Sequence, residues 1–305
     1  VALVGPTASG KSALALELAR RRPEAELVSV DSMVIYRGMD IGTAKPSPAE
    51  RAEVRYHLLD LVDPDEEFTL PRFQAAARAA LAGIEGRGHR ALLVGGTGLY
   101  LRAVVDGLDV PGRWPEVSAA LEAEAAAPGG TEALHARLAV LDPVAAARMT
   151  PGNRRRVVRA LEVTMGAGRP FSSFGPGLDA YPPTPVRLVG LRPDPAAHRA
   201  RIEARFAELL ARGLLEEVRT LAGRPGGLSR TARQALGYRE LLAHVEDGVP
   251  LEQAVDEAVR RTRAFARRQW AWFRRDPRIT WLDPSGDLLA QLLELWDAPR
   301  VGDWG

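Results

Sequence analysis

Gly5-Pro6-Thr7-Ala8-Ser9-Gly10-Lys11-Ser12 satisfies G-x-x-x-x-G-K-[ST] at every fixed position, and its neighbours supply the context that pattern needs. Val1 to Val4 is a short apolar run that reads as a buried strand. Ala13-Leu14-Ala15-Leu16-Glu17-Leu18-Ala19-Arg20 consists of strong helix formers. Strand, glycine loop and helix in that order cradle phosphate: the glycines let successive N–H groups turn inward, and the helix N-terminus adds unpaired donors and the positive end of its dipole. Lys11 is placed to reach an outer phosphate, and the Ser12 hydroxyl to ligate Mg²⁺. The stretch therefore predicts a polyphosphate or diphosphate site. Lysine occurs only at Lys11 and Lys45, every other basic residue being arginine, so the loop retains a compact ammonium in a chain that otherwise uses guanidinium. Lys45, in Gly42-Thr43-Ala44-Lys45-Pro46, reads equally as a second cation kept for a similar reason or as chance.

Outward from the loop, Glu26-Leu27-Val28-Ser29-Val30-Asp31-Ser32 reads as a second buried strand ending in a carboxylate. Arg90-Ala91-Leu92-Leu93-Val94 reads as a third, ending in Gly95-Gly96-Thr97-Gly98. In parallel α/β sheets the C-terminal strand ends form the ligand crevice, so Asp31 is expected to face the phosphate loop. The third strand lacks the Asp that closes the Walker-B strand of an ATPase. With Pro71 to Ile84 helical between them, the order calls for an α/β fold: a P-loop NTPase-like parallel sheet flanked by helices. After Gly112 the composition turns to Ala and Glu, with helices at 114–127, 131–140, 142–148 and 153–165 and a Gly/Pro/Ser-rich tract at 166–185. Val186 to Leu191 then returns as a strand, and 194–219, 231–247, 251–276 and 287–296 are mainly helical. The expected organisation is a core over 1–112 and 186–305, interrupted by a small helical insertion at 113–185.

Composition narrows the class further. At 305 residues with 46% hydrophobic and 26% charged residues, the chain has the balance of a soluble globular protein, and no apolar run approaches the roughly 20 residues of a membrane span. Without cysteine there is no disulfide or thiolate chemistry, which suits a reducing cytoplasm. The five histidines show no metal-ligand spacing; His57 and His135 read as packing or surface residues. Because the chain opens inside a strand, a few native residues are expected to precede Val1. A net charge of +2 does not diagnose nucleic-acid binding, but the placement of the arginines does carry information. Arg260, Arg267 and Arg274 recur every seven residues, as do Arg261, Arg268 and Arg275, which builds a basic stripe on a helix with Phe265 and Trp272 on another face. Asn153-Arg154-Arg155-Arg156-Val157-Val158-Arg159 forms a second cluster. Two basic elements facing one cleft would suit a folded RNA.

These motifs together resemble the bacterial tRNA dimethylallyltransferases, which prenylate the adenine immediately 3′ of the anticodon. The likeness runs through the phosphate loop, Val30-Asp31-Ser32, Tyr36-Arg37-Gly38-Met39-Asp40-Ile41-Gly42-Thr43-Ala44-Lys45-Pro46, Leu93-Val94-Gly95-Gly96-Thr97-Gly98-Leu99-Tyr100, Arg159-Ala160-Leu161-Glu162-Val163, Gly237-Tyr238-Arg239 and Arg267-Arg268-Gln269-Trp270-Ala271-Trp272-Phe273-Arg274. The resemblance implies that Asp31 is the general base on the adenine amine, with Thr97 assisting at the same atom. It implies that Gly5 to Ser12 and Arg205 hold the diphosphate of dimethylallyl diphosphate, with Mg²⁺ on Ser12. It places contacts to the tRNA anticodon stem-loop at Asp31, Ser32, Met33 and Val34; at Arg155, Arg156 and Arg159; at Gln234, Gly237, Tyr238 and Arg239; and at Arg267, Arg268, Gln269, Trp270, Trp272 and Arg274. A monomer is expected. One position departs: where the family often carries an arginine after the third strand, this chain has Ser118, with Arg113 five residues earlier.

The chemistry agrees with the residues. An adenine exocyclic amine is a poor nucleophile, and a placed carboxylate base contributes roughly 10²–10⁴-fold. The allylic C–O bond breaks as negative charge builds on diphosphate, which the loop, Lys11, Arg205 and a magnesium ion would stabilise. The loop would then grip a leaving group, which fits a chain without a Walker-B Asp. The alternatives are a small-molecule P-loop kinase, prenyl transfer to free adenine nucleotides, and a non-catalytic RNA-binding module. The first two have no use for the arginine clusters, and the third has none for Asp31 beside a phosphate loop.

Overall fold

Side chains of a strand point alternately to opposite faces, and in the shortest strand of the sheet's centre this already separates two cores: Ala2 and Val4 join one, Leu3 the other. The computed structural model describes residues 1–299. They begin with β1 (Ala2–Val4), α1 (Lys11–Arg21) and β2 (Ala25–Val30), followed by α2 (Pro48–Glu53), β3 (Tyr56–His57) and α3 (Leu70–Glu85). Then come β4 (Arg90–Gly95) and α4 (Gly98–Val105). A bundle follows, of α5 (Pro115–Ala126), α6 (Gly130–Leu141), α7 (Pro143–Ala147) and α8 (Arg154–Ala167). The chain returns through β5 (Leu188–Gly190), α9 (Pro195–Ala211), α10 (Leu214–Ala222), α11 (Tyr238–Asp247) and α12 (Leu251–Phe273), and closes with β6 (Ile279–Trp281) and α13 (Leu288–Asp297).

The strands form one parallel sheet in the order β3-β2-β4-β1-β5-β6. One core packs Val28, Val30 and Leu93 against Phe73, Leu101, Leu241 and Phe273; the other packs Leu27, Leu92 and Val189 against Leu16, Leu18 and Trp296. Register fixes the working edge. Val4 lies opposite Gly95 and Gly190, and Val30 opposite Gly95, so the residues after β1, β2 and β4 emerge together at the C-terminal edge. Those residues are the phosphate loop, Asp31 and the Gly96–Thr97 turn.

Two compact units result: Val1–Val105 with the chain from Pro183 on, and Asp106–Pro182. The second buries Leu121, Leu134, Leu138, Val157 and Leu161 among α5, α6 and α8. Its buried Asp142 caps α7 by accepting from Ala145 N–H at 3.0 Å and also accepts from the Ser172 hydroxyl at 2.7 Å. Residues 194–219 divide into α9 and α10 at Gly213, whose φ of 97° only glycine adopts without strain. α2, α4, β3 and β6 were not evident in the sequence.

Candidate active site

The glycine loop wraps the start of α1 as its sequence requires: Gly10, at φ 93°, takes the left-handed N-cap position. Lys11 folds back along the loop, its Nζ donating to Pro6 O at 2.6 Å and to Ser9 Oγ at 3.4 Å. Pro6 thus contributes a carbonyl. Burial pushes the Lys11 ammonium down to about 7, opposed by Asp31 and reinforced by Arg205. Burial also lowers Arg205, again against the pull of Asp31. Lys11 at the start of α1, Asp31 just after β2 and Arg205 on α9 therefore share one field, in which two cations desolvated by burial meet a half-buried carboxylate. Such a site favours an anion. Ser12 is exposed at the first helical turn, free for a cation held mainly by phosphate oxygens. Among the described residues no cluster of three His, Cys, Asp or Glu side chains offers a dedicated metal cage.

Asp31 follows the last residue of β2 and is half-buried; its Oδ1 accepts Met33 N–H at 2.8 Å, which orients the carboxylate at the edge. Thr97 sits half-buried between β4 and α4. Beside Thr7, Ala8 and Arg205 opens a pocket whose wall is apolar, formed by Ile202, Phe206, Leu209, Leu214 and Leu236. Two side chains hold Thr7 from either side. His198 donates from Nε2 to Thr7 O at 2.7 Å, and Gln269 Oε1 accepts Thr7 N–H at 2.8 Å. Burial lowers the His198 imidazole, with Arg201 and Lys11 adding to the effect and the Thr7 bond opposing it. His198 was missed in the sequence. Its signal is its place one turn before Arg201 and Ile202 on the helix that carries Arg205.

Several expected RNA contacts turn inward instead. Tyr238 is fully buried, and its hydroxyl donates to Glu217 at 2.5 Å. Glu217 also accepts the N–H groups of Asp40, Ile41 and Gly42, at 2.9, 2.7 and 3.2 Å. A side chain at Gly42 would lie 2.4 Å from the Tyr238 ring, so this glycine serves close packing. Gly237 and Val34 are likewise buried, and Gln269 is 6% exposed. Trp270 packs edge-on against Trp281, with ring centroids 4.8 Å apart, and Trp272 lies against Gly98. Lys45 is not a phosphate ligand: it is buried and donates to Tyr36 O, Asp40 and Asp60 at 2.6, 2.7 and 2.5 Å, tying the 36–60 segment together.

Other expected contacts remain outward. Arg267 and Arg268 are exposed on α12 and Arg274 just beyond its end; Gln234 and Arg239 are exposed near the start of α11, Arg239 donating to Gln234 at 3.0 Å. The stripe is narrower than its spacing suggests, because Arg260 pairs with Glu257 at 2.6 Å and Arg261 with the buried Glu240 at 3.2 Å. In the second unit Arg155 and Arg156 are exposed at the start of α8, near Asn153, whose side chain accepts from Arg156 N–H. Arg159 is committed to Glu162 at 2.9 Å and to the carbonyls of Pro111 and Gly112. Arg113 is exposed just before α5, and Ser118 lies in its first turn. His57 pairs with buried Glu26 and His135 with Ala146 O, both packing roles.

Known proteins resemble this arrangement throughout. The model of the IPP transferase family matches residues 34–276. The tRNA dimethylallyltransferase of Kineococcus radiotolerans is 49% identical over 306 residues, covering 97% of this chain and 95% of the relative. The crystal structure of the full-length tRNA isopentenylpyrophosphate transferase of Bacillus halodurans superposes with a TM-score of 0.69 at 36% identity, over 96% of this chain and 93% of that one. A eukaryotic dimethylallyltransferase acting on tRNA superposes with a TM-score of 0.75 at 25% identity, over 97% and 75%. The phosphate loop, the carboxylate at the β2 edge and the near-complete overlap with these proteins lead to one conclusion: this chain belongs to the IPP transferase family.

Proposed function

We propose that this protein transfers the dimethylallyl group of dimethylallyl diphosphate to N6 of the adenosine 3′-adjacent to the anticodon in tRNA, releasing diphosphate. The observation that carries this reading is the meeting of Lys11, Arg205 and Asp31 beside an apolar pocket. The names of the relatives point to the same substrates. Lys11, Arg205 and the loop N–H groups bind the diphosphate, and the five-carbon tail lies along Ile202, Phe206 and Leu209. N6 attacks C1 of the allyl group as the C1–O bond breaks. The electron pair leaves on diphosphate, and Asp31 takes the N6 proton, with Thr97 at the same nitrogen. Charge growing on the leaving group is stabilised most in a desolvated site, where fixed cations need no reorganisation. The Ser12 hydroxyl would hold a Mg²⁺ ion brought with the diphosphate, which when bound would supply further positive charge there. Arg267, Arg268, Arg274, Gln234 and Arg239 on the core, and Arg155 and Arg156 on the helical insertion, hold the RNA backbone. The protein acts as a monomer in the cytoplasm.

The test is single-turnover transfer from labelled dimethylallyl diphosphate with tRNA or AMP as acceptor. Label should enter tRNA and not AMP. Asp31→Asn keeps the shape and one acceptor oxygen but cannot take a proton, so the rate should fall by roughly two to four orders of magnitude with tRNA affinity little changed. Transfer at the parent's rate refutes the base; transfer to AMP alone, or ATP consumption in its place, refutes the substrate.

A further inference from the structure

The pairing of β1 with β4 ends at Val4 opposite Gly95, and beyond it no backbone hydrogen bond among the described residues joins the phosphate loop to the Gly96–Thr97 turn. One side chain continues the ladder. Gln269 accepts Thr7 N–H through Oε1 at 2.8 Å and donates from Nε2 to Gly96 O at 2.7 Å. A primary amide carries one acceptor and two donors on a planar group, so it can stand in for a peptide unit between two loops. A carboxylate would accept only, and a hydrocarbon would do neither. Close approach is possible because residue 96 is glycine: a Cβ there would lie 2.3 Å from Nε2. Three residues on, Trp272 packs against Gly98 from the same helix.

We propose that Gln269 is a positioning residue that locks the diphosphate-binding loop and the Thr97 turn in one register, rather than a tRNA contact. The proposal rests on reading the loop as a diphosphate site. The leaving group is held by one of these loops and the attacking amine is met at the other, so their separation sets the line of attack. A misplacement of about 1 Å can cost on the order of 10²-fold in rate.

Gln269→Met keeps length and volume and loses both hydrogen bonds. Three quantities are measured in the full chain: affinity for inorganic diphosphate by calorimetry, affinity for tRNA without a prenyl donor, and single-turnover transfer at saturating donor. We expect diphosphate affinity to fall about tenfold and the rate about 10²-fold, with tRNA affinity within about twofold of the parent. Gly96→Ala retains the amide but pushes it off the turn, and should give the same pattern. The double variant should be no worse than the poorer single, because both break the same bridge. Should Gln269→Met not fold, Gly96→Ala decides alone. A tenfold loss of tRNA affinity with diphosphate binding intact would make Gln269 an RNA contact and overturn the proposal, as would three unchanged quantities. A parent protein that does not bind diphosphate would instead remove the site reading on which the proposal stands.

Discussion

Raising the pH should loosen the hold on diphosphate through Lys11. Its ammonium has a pKa lowered from 10.5 to about 7, chiefly by burial, with Asp31 pulling upward and Arg205 pushing further down. A bound diphosphate adds negative charge beside it and raises that pKa again. Below about pH 7 the free site is already protonated, so affinity is flat. Above it the free site loses a proton that the complex keeps, and affinity falls by up to about tenfold per pH unit, or about 10²-fold between pH 7 and 9. Calorimetry with dimethylallyl diphosphate in two buffers of different ionisation heat should show proton uptake rising toward one per site across that window. The free protein should respond in the opposite sense. Between pH 7 and 10.5 the unfolded chain binds more protons at this lysine than the folded one, so the lysine's contribution to stability rises with pH there. Lys11→Arg, which does not titrate in this range, should bind more weakly and with little pH dependence from this position. Equal parent affinities at pH 7 and 9 with no proton uptake would refute a lysine facing the diphosphate.

Replacing Arg267 and Arg274 with Ala should lower the log–log salt slope of tRNA binding by about 1.4–1.8, at about 0.7–0.9 per phosphate contact, and leave diphosphate affinity unchanged. Arg154 and Arg260, already paired with Glu122 and Glu257, serve as controls whose removal should move the slope far less. Gly42→Ala drives a methyl into the Tyr238 ring and should cost about 1–3 kcal/mol of unfolding free energy in urea; a variant as stable as the parent would show that the 40–42 turn yields freely.

Much of the centre of this fold could be read from the chain, because Val1 to Ser12 combines a local pattern with an unambiguous order of elements. Asp31 was legible for a related reason: a carboxylate closing an apolar run must lie at a strand end. β3 and β6, two and three residues long, are too short to show periodicity. α4 was hidden because Gly98, its first residue, belongs to a run of three glycines around Thr97 that reads as loop. The inward turn of Tyr238, Val34 and Gln269, expected at the RNA, has one origin. A motif marks residues that a site requires, and it does not separate those that touch a ligand from those that brace the loops that do. A signal to separate them was present. Half-buried Glu217 falls on the buried stripe Leu214, Val218 and Leu221, and buried Gln269 on that of Ala258, Ala266 and Phe273. A polar residue on an apolar stripe needs an interior partner, because an unpaired buried polar group costs about 1–3 kcal/mol.

The same reasoning divides the arginines of α12 and explains how one helix serves two surfaces. Arg261 and Arg263, half-buried, reach Glu240 on α11 and Glu203 on α9, and a planar guanidinium with several donors suits such pairs better than an ammonium. Arg260 is spent on its own helix at Glu257, while Arg267, Arg268 and Arg274 stay outward. On the inner face Gln269, Trp272 and Phe273 meet the phosphate loop, Gly98 and the core. The helix that carries these outer arginines is thus fastened to α9, which bears Arg205, and to both the phosphate loop and the Gly96–Gly98 turn. Under the proposed function, an RNA seated on that outer face would engage an element whose position the diphosphate site shares, and acceptor and leaving group would be registered through a single piece of secondary structure.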